Sequence, residues 1–154
     1  MAKLTNNERS PYTDVIRLTA ADLIAIGNGG TRQIATIPAG GAVSLCAVIE
    51  SVAVVGSTSL VVNIGTTLAD PDEFIDALDV DAMTSGLPTF NTGDVFVQTA
   101  GNTTISGGYL PKAAASASTP VYIKVTDAAV ASITAGEIIL GLTILDPFAL
   151  SLNA

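Results

Sequence analysis

The stretch Ala42-Val-Ser-Leu-Cys-Ala-Val-Ile-Glu-Ser-Val-Ala-Val-Val55 decides the fold, because it is apolar on both of its alternating faces. A strand with one solvated face would instead alternate apolar and polar residues. The alternation puts two sets on opposite sides, Val43, Leu45, Ala47 and Ile49 on one and Cys46, Val48 and Val52 on the other. We therefore expect this strand to be covered on both faces.

Two features follow this strand directly. The short connection Gly56-Ser-Thr-Ser59 leads into a second β-branched run, residues 60–65, and this pattern predicts a hairpin. Residues 70–81 then form a dense acidic segment. Asp70 as N-cap, Pro71 at the first helical position and Glu73 completing a capping box predict at most one short helix near residues 71–78.

The remaining chain is also rich in short strand patterns. Ala20–Ile26 either continues the first strand after a kink or forms one helical turn. Gly and Pro punctuate the chain, and Val, Ile and Thr outnumber the strong helix formers. Further strands are predicted at residues 14–19, 31–37, 94–98, 120–126 and 137–145. We predict an all-β fold, an antiparallel β-sandwich that resembles a jelly roll.

The domain organisation is simple. Residues 1–13 are polar and end in Ser-Pro-Tyr, which indicates an N-terminal arm. At 154 residues the chain can bury a core without disulfides, and no repeat period is visible. Residues 14–154 are therefore predicted to be a single β-sandwich domain.

Charge limits the partners. The net charge is −8: residues 1–32 hold four basic residues against three acidic ones, whereas residues 33–154 hold two lysines against eleven acidic residues. Binding to phosphates or to anionic lipid needs clustered Lys and Arg. We therefore expect neither nucleic acid nor a membrane as a partner.

The chain offers few groups for catalysis. It has no histidine, which removes the commonest general base and most zinc sites, and its single Cys46 lies in the most apolar strand. No apolar leader is visible near the N-terminus, so we expect synthesis in the cytoplasm. We predict no enzyme activity, no catalytic residues, no cofactor and no resident metal.

The acidic segment leaves two alternatives open. Its six carboxylates could serve glycoside hydrolysis or could bind Ca²⁺, although the spacing of an EF-hand loop is missing. The plainer interpretation is solvated surface charge. Gly27-Asn-Gly-Gly30 lacks the further residues of a phosphate-binding loop and indicates a turn.

Several short motifs carry a resemblance to a known class of proteins. In chain order they are Ala47-Val-Ile-Glu50, Leu60-Val-Val-Asn-Ile-Gly65, Asp70-Pro-Asp-Glu-Phe-Ile75, Gly107-Gly-Tyr109 and Pro120-Val-Tyr-Ile-Lys-Val-Thr126. This order resembles virion structural proteins of tailed bacteriophages and is similar to their capsid decoration, or cement, proteins.

The resemblance implies a function and a location. A decoration subunit binds the outer surface of an icosahedral head, usually as a trimer, and stabilises it. The implied partners are the major capsid protein and further copies of the chain, and the implied location is the capsid surface of the virion. The capsid contact would be made by an arm region containing Lys3, Arg9, Tyr12 and Arg17. The alternative is a tail- or fibre-associated module that binds a host surface saccharide.

Overall fold

Ten strands and one α-helix make up the described part of the chain. The computed structural model describes residues 12–39, 41–90, 92–93, 98–100, 103–105 and 117–145, with backbone only for 98–100 and 103–105. The helix α1 spans Ala20–Ile26, and a 3-10 turn spans Val130–Ser132. The strands are β1 (Asp14–Thr19), β2 (Gly30–Ile37), β3 (Ala42–Val55), β4 (Val61–Gly65), β5 (Ile75–Asp79), β6 (Pro88–Phe90), β7 (Gln98–Ala100), β8 (Thr103–Ile105), β9 (Thr119–Thr126) and β10 (Ala135–Leu145).

Eight of these strands form two four-stranded antiparallel sheets. Sheet A has the order β1-β10-β3-β6, and sheet B has the order β2-β9-β4-β5. Strands β7 and β8 form a separate two-stranded ribbon. If the eight sandwich strands are counted without the ribbon, β9 becomes the seventh strand and β10 the eighth. The two sheet orders are then 1-8-3-6 and 2-7-4-5, which are the two interlocked Greek keys of a jelly roll. The predicted all-β sandwich of jelly-roll type is confirmed.

The core lies between the two sheets. Sheet A contributes side chains such as Cys46, Val48 and Leu140, and sheet B contributes Val62, Ile123 and Val125, all without exposed surface. Aliphatic side chains dominate, as expected of a sequence with 5% aromatic residues. Every long strand therefore directs one apolar side into the core between the two sheets.

The short helix expected near residues 71–78 is wrong. This segment enters sheet B as β5, where Ile75 lies opposite Ile64 of β4. Phe74 N–H donates to Ile64 C=O at 2.9 Å, and both Phe74 and Ile75 are fully buried. Burial of two large apolar side chains in the sandwich outweighs the local helix-start signals, which are worth about 1 kcal/mol each.

The single α-helix lies instead at Ala20–Ile26, which settles the alternative left open for that stretch. Thr19 caps it: its hydroxyl accepts from Asp22 N–H, and the Asp22 carboxylate accepts from Thr19 N–H at 3.0 Å. Gly27, at φ 79°, ends the helix with its N–H bonded to Leu23 C=O. The glycine-rich loop is thus a helix end and a turn into β2.

Three register shifts occur between β3 and β10, and two of these bulges explain which side chains of β3 face the core. One extra residue lies between the pairs Leu45–Thr143 and Val43–Ile144, and another lies between Glu50–Ile138 and Val52–Glu137. Each bulge reverses the alternation beyond it. Val43 consequently lies in the core, whereas Val52 is 53% exposed. Strict alternation therefore assigned both residues to the wrong face, while Leu45, Ala47 and Ile49 keep the shared outer face.

The predicted hairpin after Val55 is also wrong, because β3 and β4 belong to different sheets. The connection 56–60 crosses the sandwich, and the connection 127–134 crosses back beside it. Strands that each carry a wholly apolar face bury more surface by covering one another than by pairing edge to edge.

Asp127 ties these crossing connections together. Its carboxylate accepts from Thr58 N–H at 3.2 Å, from the Thr58 hydroxyl at 2.8 Å and from Ala129 N–H at 2.8 Å. Its own N–H donates to Asn28 Oδ1 at 3.1 Å. Burial would raise the pKa of Asp127, but these hydrogen bonds outweigh it and the pKa lies below its usual value.

Candidate functional site

The outward side of sheet A is apolar across all four strands. Here Val15 of β1 lies opposite Gly141 of β10, and Ala47 of β3 lies between Gly141 and Phe90 of β6. Val15 is 62% exposed and Phe90 48%. We call this surface the outer A face; its large apolar side chains are Val15, Leu45, Ile49, Val52, Phe90 and Ile139.

Tyr12 lies on this face at its centre. A Cβ built on Gly141 would be 2.6 Å from the Tyr12 ring, so the ring packs directly on the glycine backbone. The neighbouring Thr13 holds the chain there, because its N–H donates to Leu142 C=O at 2.9 Å. Burial raises the pKa of the Tyr12 hydroxyl, with a smaller contribution from Cys46.

Arg17 lies on the same face, near its rim. Its Nε is 3.3 Å from Glu137 Oε2, and the Arg17 side chain is 64% exposed. The structure thus brings Tyr12 and Arg17, two of the four predicted capsid-contact residues, to one surface. Lys3 and Arg9 lie outside the described residues, as does most of the predicted arm.

The outward side of sheet B is polar. Thr31 and Asn63 flank Lys124 in one row, and Gln33 lies opposite Tyr122 in the next. Lys124 Nζ donates to Asp70 Oδ1 at 3.2 Å and to Ala69 C=O at 3.3 Å. We call this surface the outer B face; unlike the outer A face, it carries side chains that bind water well.

The acidic segment serves mainly as a set of hydrogen-bond acceptors that shape turns. Glu73 does not complete a capping box; its Oε2 accepts from Thr66 N–H at 2.7 Å and its Oε1 from the Thr67 hydroxyl at 2.6 Å. Asp81 accepts from the Ser57 hydroxyl at 2.6 Å and from Leu60 N–H at 2.9 Å. Each carboxylate thus stabilises a different connection of sheet B.

Asp72 is the least favourably placed acid of this segment. Desolvation raises the pKa of its carboxyl, and the charges of Glu73, Asp70 and Asp76 raise it further. Among the described residues, no group of three or more acidic, Cys or His side chains is arranged to hold a metal ion. The geometry therefore offers no support for calcium binding within this part of the chain.

A groove of about 450 Å³ lies between the edge strands β5 and β6. Its described lining includes the carboxylates of Asp76 and Asp79 beside the apolar Met83 and Leu87. Asp76 is already engaged with Asn63, at 3.3 Å between Oδ1 and Nδ2. The described lining has no aromatic side chain on which a sugar ring could stack.

Cys46 is a core residue. It is fully buried, and burial raises the pKa of its thiol to about 12. A thiol with such a pKa stays protonated at neutral pH and is a poor nucleophile. The interpretation of Cys46 as a small hydrophobic core residue is confirmed.

The sequence analysis missed Val15, Phe90 and Ile139 as surface residues of interest. Val15 and Ile139 alternate with core residues in strands that were predicted. A comparison of the residues on both faces of those strands would therefore have identified them. Phe90 could not be found in this way, because it lies in a three-residue strand within a segment for which no strand was predicted.

Two broader tests complete the description of the chain. No helix within the described ranges combines the length and the apolar character that a membrane crossing requires. Comparisons of the chain with protein-family models, with curated proteins and with solved structures found no match.

Proposed function

We propose that this chain is a structural protein of a tailed-bacteriophage virion, a decoration subunit that binds the outside of the head and acts without catalysis. The observation that carries the proposal is the outer A face, where Val15, Val52 and Phe90 on three different strands are 48% to 62% exposed. Several large apolar side chains exposed on one sheet face favour an interaction site.

The fold supports the proposal without deciding it. Jelly rolls occur in viral capsid domains but also in lectins and cupins. A fold hosts many functions, so the function has to be argued from the surface. The outer A face is broad and lacks converging polar groups, which suits a protein partner better than a small molecule.

The charge distribution on the outer A face also favours a protein partner. The outer A face holds few charged side chains, and the described ones Arg17 and Glu137 neutralise each other at a distance of 3.3 Å. Interface cores are depleted in charged residues and rich in apolar ones. A chain with a net charge of −8 would also be repelled by packaged DNA.

The proposed partners are the major capsid protein and further copies of the chain, assembled as a trimer. In this arrangement the outer A face forms subunit contacts, and the arm with Lys3 and Arg9 extends to the shell. Such an arm would add contact area by wrapping around shell subunits.

Cosedimentation with empty expanded heads, prepared without the endogenous protein, tests this function. The wild-type chain should bind at saturable stoichiometry. Val15→Lys should reduce the affinity for heads about tenfold or more, because a lysine must then be desolvated in the subunit contact and the trimer that binds the head is weakened. Leu68→Lys is the matched control, since Leu68 is 59% exposed in the β4–β5 connection, away from sheet A. Absence of wild-type binding would contradict the proposal.

A second candidate is a tail-associated module that binds a host saccharide. The groove between β5 and β6 favours it, because Asp76 and Asp79 could accept hydrogen bonds from sugar hydroxyls beside Thr89. Binding of host polysaccharide that is lost in Asp79→Ala, together with no binding to heads, would select this candidate.

A further inference from the structure

We propose that Asn28 is a modification site, at which spontaneous deamidation is held back by the turn between α1 and β2. Asn28 and Gly29 form the one Asn-Gly pair of the sequence, and every other asparagine is followed by a residue that has a Cβ. Because glycine lacks a Cβ, its nitrogen is the least hindered for attack on the preceding side chain. This chemistry goes beyond the proposed function and does not depend on it.

The reaction needs water and no other reagent. The Gly29 nitrogen attacks Cγ of Asn28, so that a new N–C bond closes a succinimide ring and the side-chain amide leaves as ammonia. The proton of Gly29 N–H passes through solvent to the departing ammonia. Water then opens the ring at either carbonyl and gives aspartate or isoaspartate. The net change is asparagine plus water to one of these two acids plus ammonia.

The fold leaves this pair open to solvent but engages both reacting groups. Asn28 and Gly29 are exposed, so water reaches them. Gly29 N–H donates to Val125 C=O at 2.8 Å, and Asn28 Oδ1 accepts from Asp127 N–H at 3.1 Å. A nitrogen in such a hydrogen bond keeps its proton, and an amide held through its oxygen cannot turn freely toward that nitrogen. The folded turn therefore opposes the reaction.

Both restraints come from the end of β9. Gly30 pairs with Val125 in the β2–β9 ladder, so the turn is fixed at the start of β2. Asp127 follows β9 directly and is itself held, because its carboxylate accepts from the Thr58 hydroxyl at 2.8 Å. The turn must detach from Val125 and Asp127 before Asn28 can react, which is a local opening and does not require the whole sandwich to unfold.

Reaction at Asn28 would change the turn itself. Isoaspartate lengthens the main chain before Gly29 by a methylene group. The spacing that lets Asn28 and Gly29 reach Asp127 and Val125 together is then lost. Deamidation would thus convert a closed turn into an open one, and the reacted chain should unfold at a lower urea concentration than the unreacted chain.

Peptide mapping by mass spectrometry tests the site. The wild type is incubated at mildly alkaline pH, folded in buffer and unfolded in urea, and deamidation is measured at each asparagine over time. In urea, Asn28 should react before any other asparagine. In the folded chain, the rate at Asn28 should be lower by about tenfold or more, because the open turn is a minor state.

Two variants near the turn and one distant variant test the local opening. Asp127→Ala should raise the folded rate about threefold or more, and Thr58→Ala, which removes one hydroxyl contact, should raise it to a smaller extent. Neither should change the rate in urea. Glu73→Gln is the control, because it weakens the fold at Thr66 and Thr67 in the β4–β5 turn and should leave the rate at Asn28 unchanged.

Three results would overturn the inference. Equal rates in the folded and unfolded wild type would show that the turn does not protect Asn28. Faster reaction of another asparagine in urea would show that the Asn-Gly pair is not the reactive site. Acceleration by Glu73→Gln as large as that by Asp127→Ala would show that Asn28 reacts only after global unfolding.

Discussion

The two outward faces of the sandwich differ in the way that an interface differs from a solvated surface. On the outer B face, Lys124 is within 3.2 Å of Asp70, and Thr31 and Asn63 lie on either side of it. On the outer A face the corresponding central positions are Gly141 and Ala47, bordered by Val15 and Phe90. Both sheets share one core, so the difference concerns their outward sides alone.

This difference separates stability from association. Polar contacts around sheet B hold turns and connections, so substitutions there should change the free energy of unfolding and leave association unchanged. The exposed apolar side chains of the outer A face contribute little to the free energy of unfolding of the isolated sandwich. Their substitution should therefore weaken association and leave that free energy unchanged.

Asp127→Ala should have the largest effect, because Asp127 joins the connections that hold the two sheets together. The variant removes three part-buried hydrogen bonds, those from Thr58 N–H, the Thr58 hydroxyl and Ala129 N–H, and should lower the free energy of unfolding by about 3 kcal/mol. Urea denaturation measures this loss. Asp14→Ala, at an exposed aspartate on β1, should change stability by less than about 0.5 kcal/mol.

The Asp127 effect should also depend on pH. The folded pKa of this carboxyl lies below its ordinary value of 3.8, so its contribution is fully present above that pH. The contribution is lost as the pH falls through the folded pKa. The stability difference between wild type and Asp127→Ala should therefore shrink below about pH 4, and a constant difference down to pH 2 would contradict this account.

Glu73→Gln should have an intermediate effect. The carboxylate accepts from Thr66 N–H and from the Thr66 and Thr67 hydroxyls at 2.6 to 3.2 Å, and an amide can satisfy fewer of these donors. We expect a loss of about 1.5 kcal/mol in the free energy of unfolding. Asp70→Asn removes one carboxylate contact at a largely exposed side chain and should cost less than about 0.5 kcal/mol. Equal losses in Glu73→Gln and Asp70→Asn would show that general surface charge, and not a specific contact in the turn, determines the change in stability.

Asp72→Asn should have the smallest effect, and of opposite sign. Desolvation and neighbouring acids raise the pKa of Asp72 above 3.8, so the folded state disfavours its charged form at neutral pH. Removing the charge should stabilise the fold by about 0.3 kcal/mol after allowance for solvent screening. The gain should vanish as the pH falls through the folded pKa, which thermal denaturation at pH 7 and pH 3 can measure.

The sequence predicted the long strands well because each buries a complete apolar face. Asp14–Thr19 and Ala42–Val55 have the bounds that their patterns indicate, and β10 begins two residues earlier than expected. The failures have one cause, which is that tertiary contacts outweigh local signals. Phe74 is drawn into the core from a segment with a good helix start, and bulges in β3 move Val43 and Val52 to unexpected faces.

The candidate site was predictable in part. Two apolar faces on β3 indicated a covered outer surface, and Tyr12 and Arg17 were singled out beside it. The roles of Asp127 and Glu73 were not predictable, because their partners Thr58 and Thr66 meet them only through the sandwich crossings and the β4–β5 turn. Such pairings depend on topology, which single-sequence patterns do not encode.

Native mass spectrometry of the wild type, Val15→Lys and Leu68→Lys at micromolar concentration tests the central claim most directly. The outer A face as a subunit interface predicts an oligomer, a trimer under the proposed function, for the wild type and for Leu68→Lys. It predicts a folded monomer for Val15→Lys, with a melting temperature lowered only by the loss of association. A monomeric wild type, or a Val15→Lys variant that assembles as the wild type does, would contradict the claim.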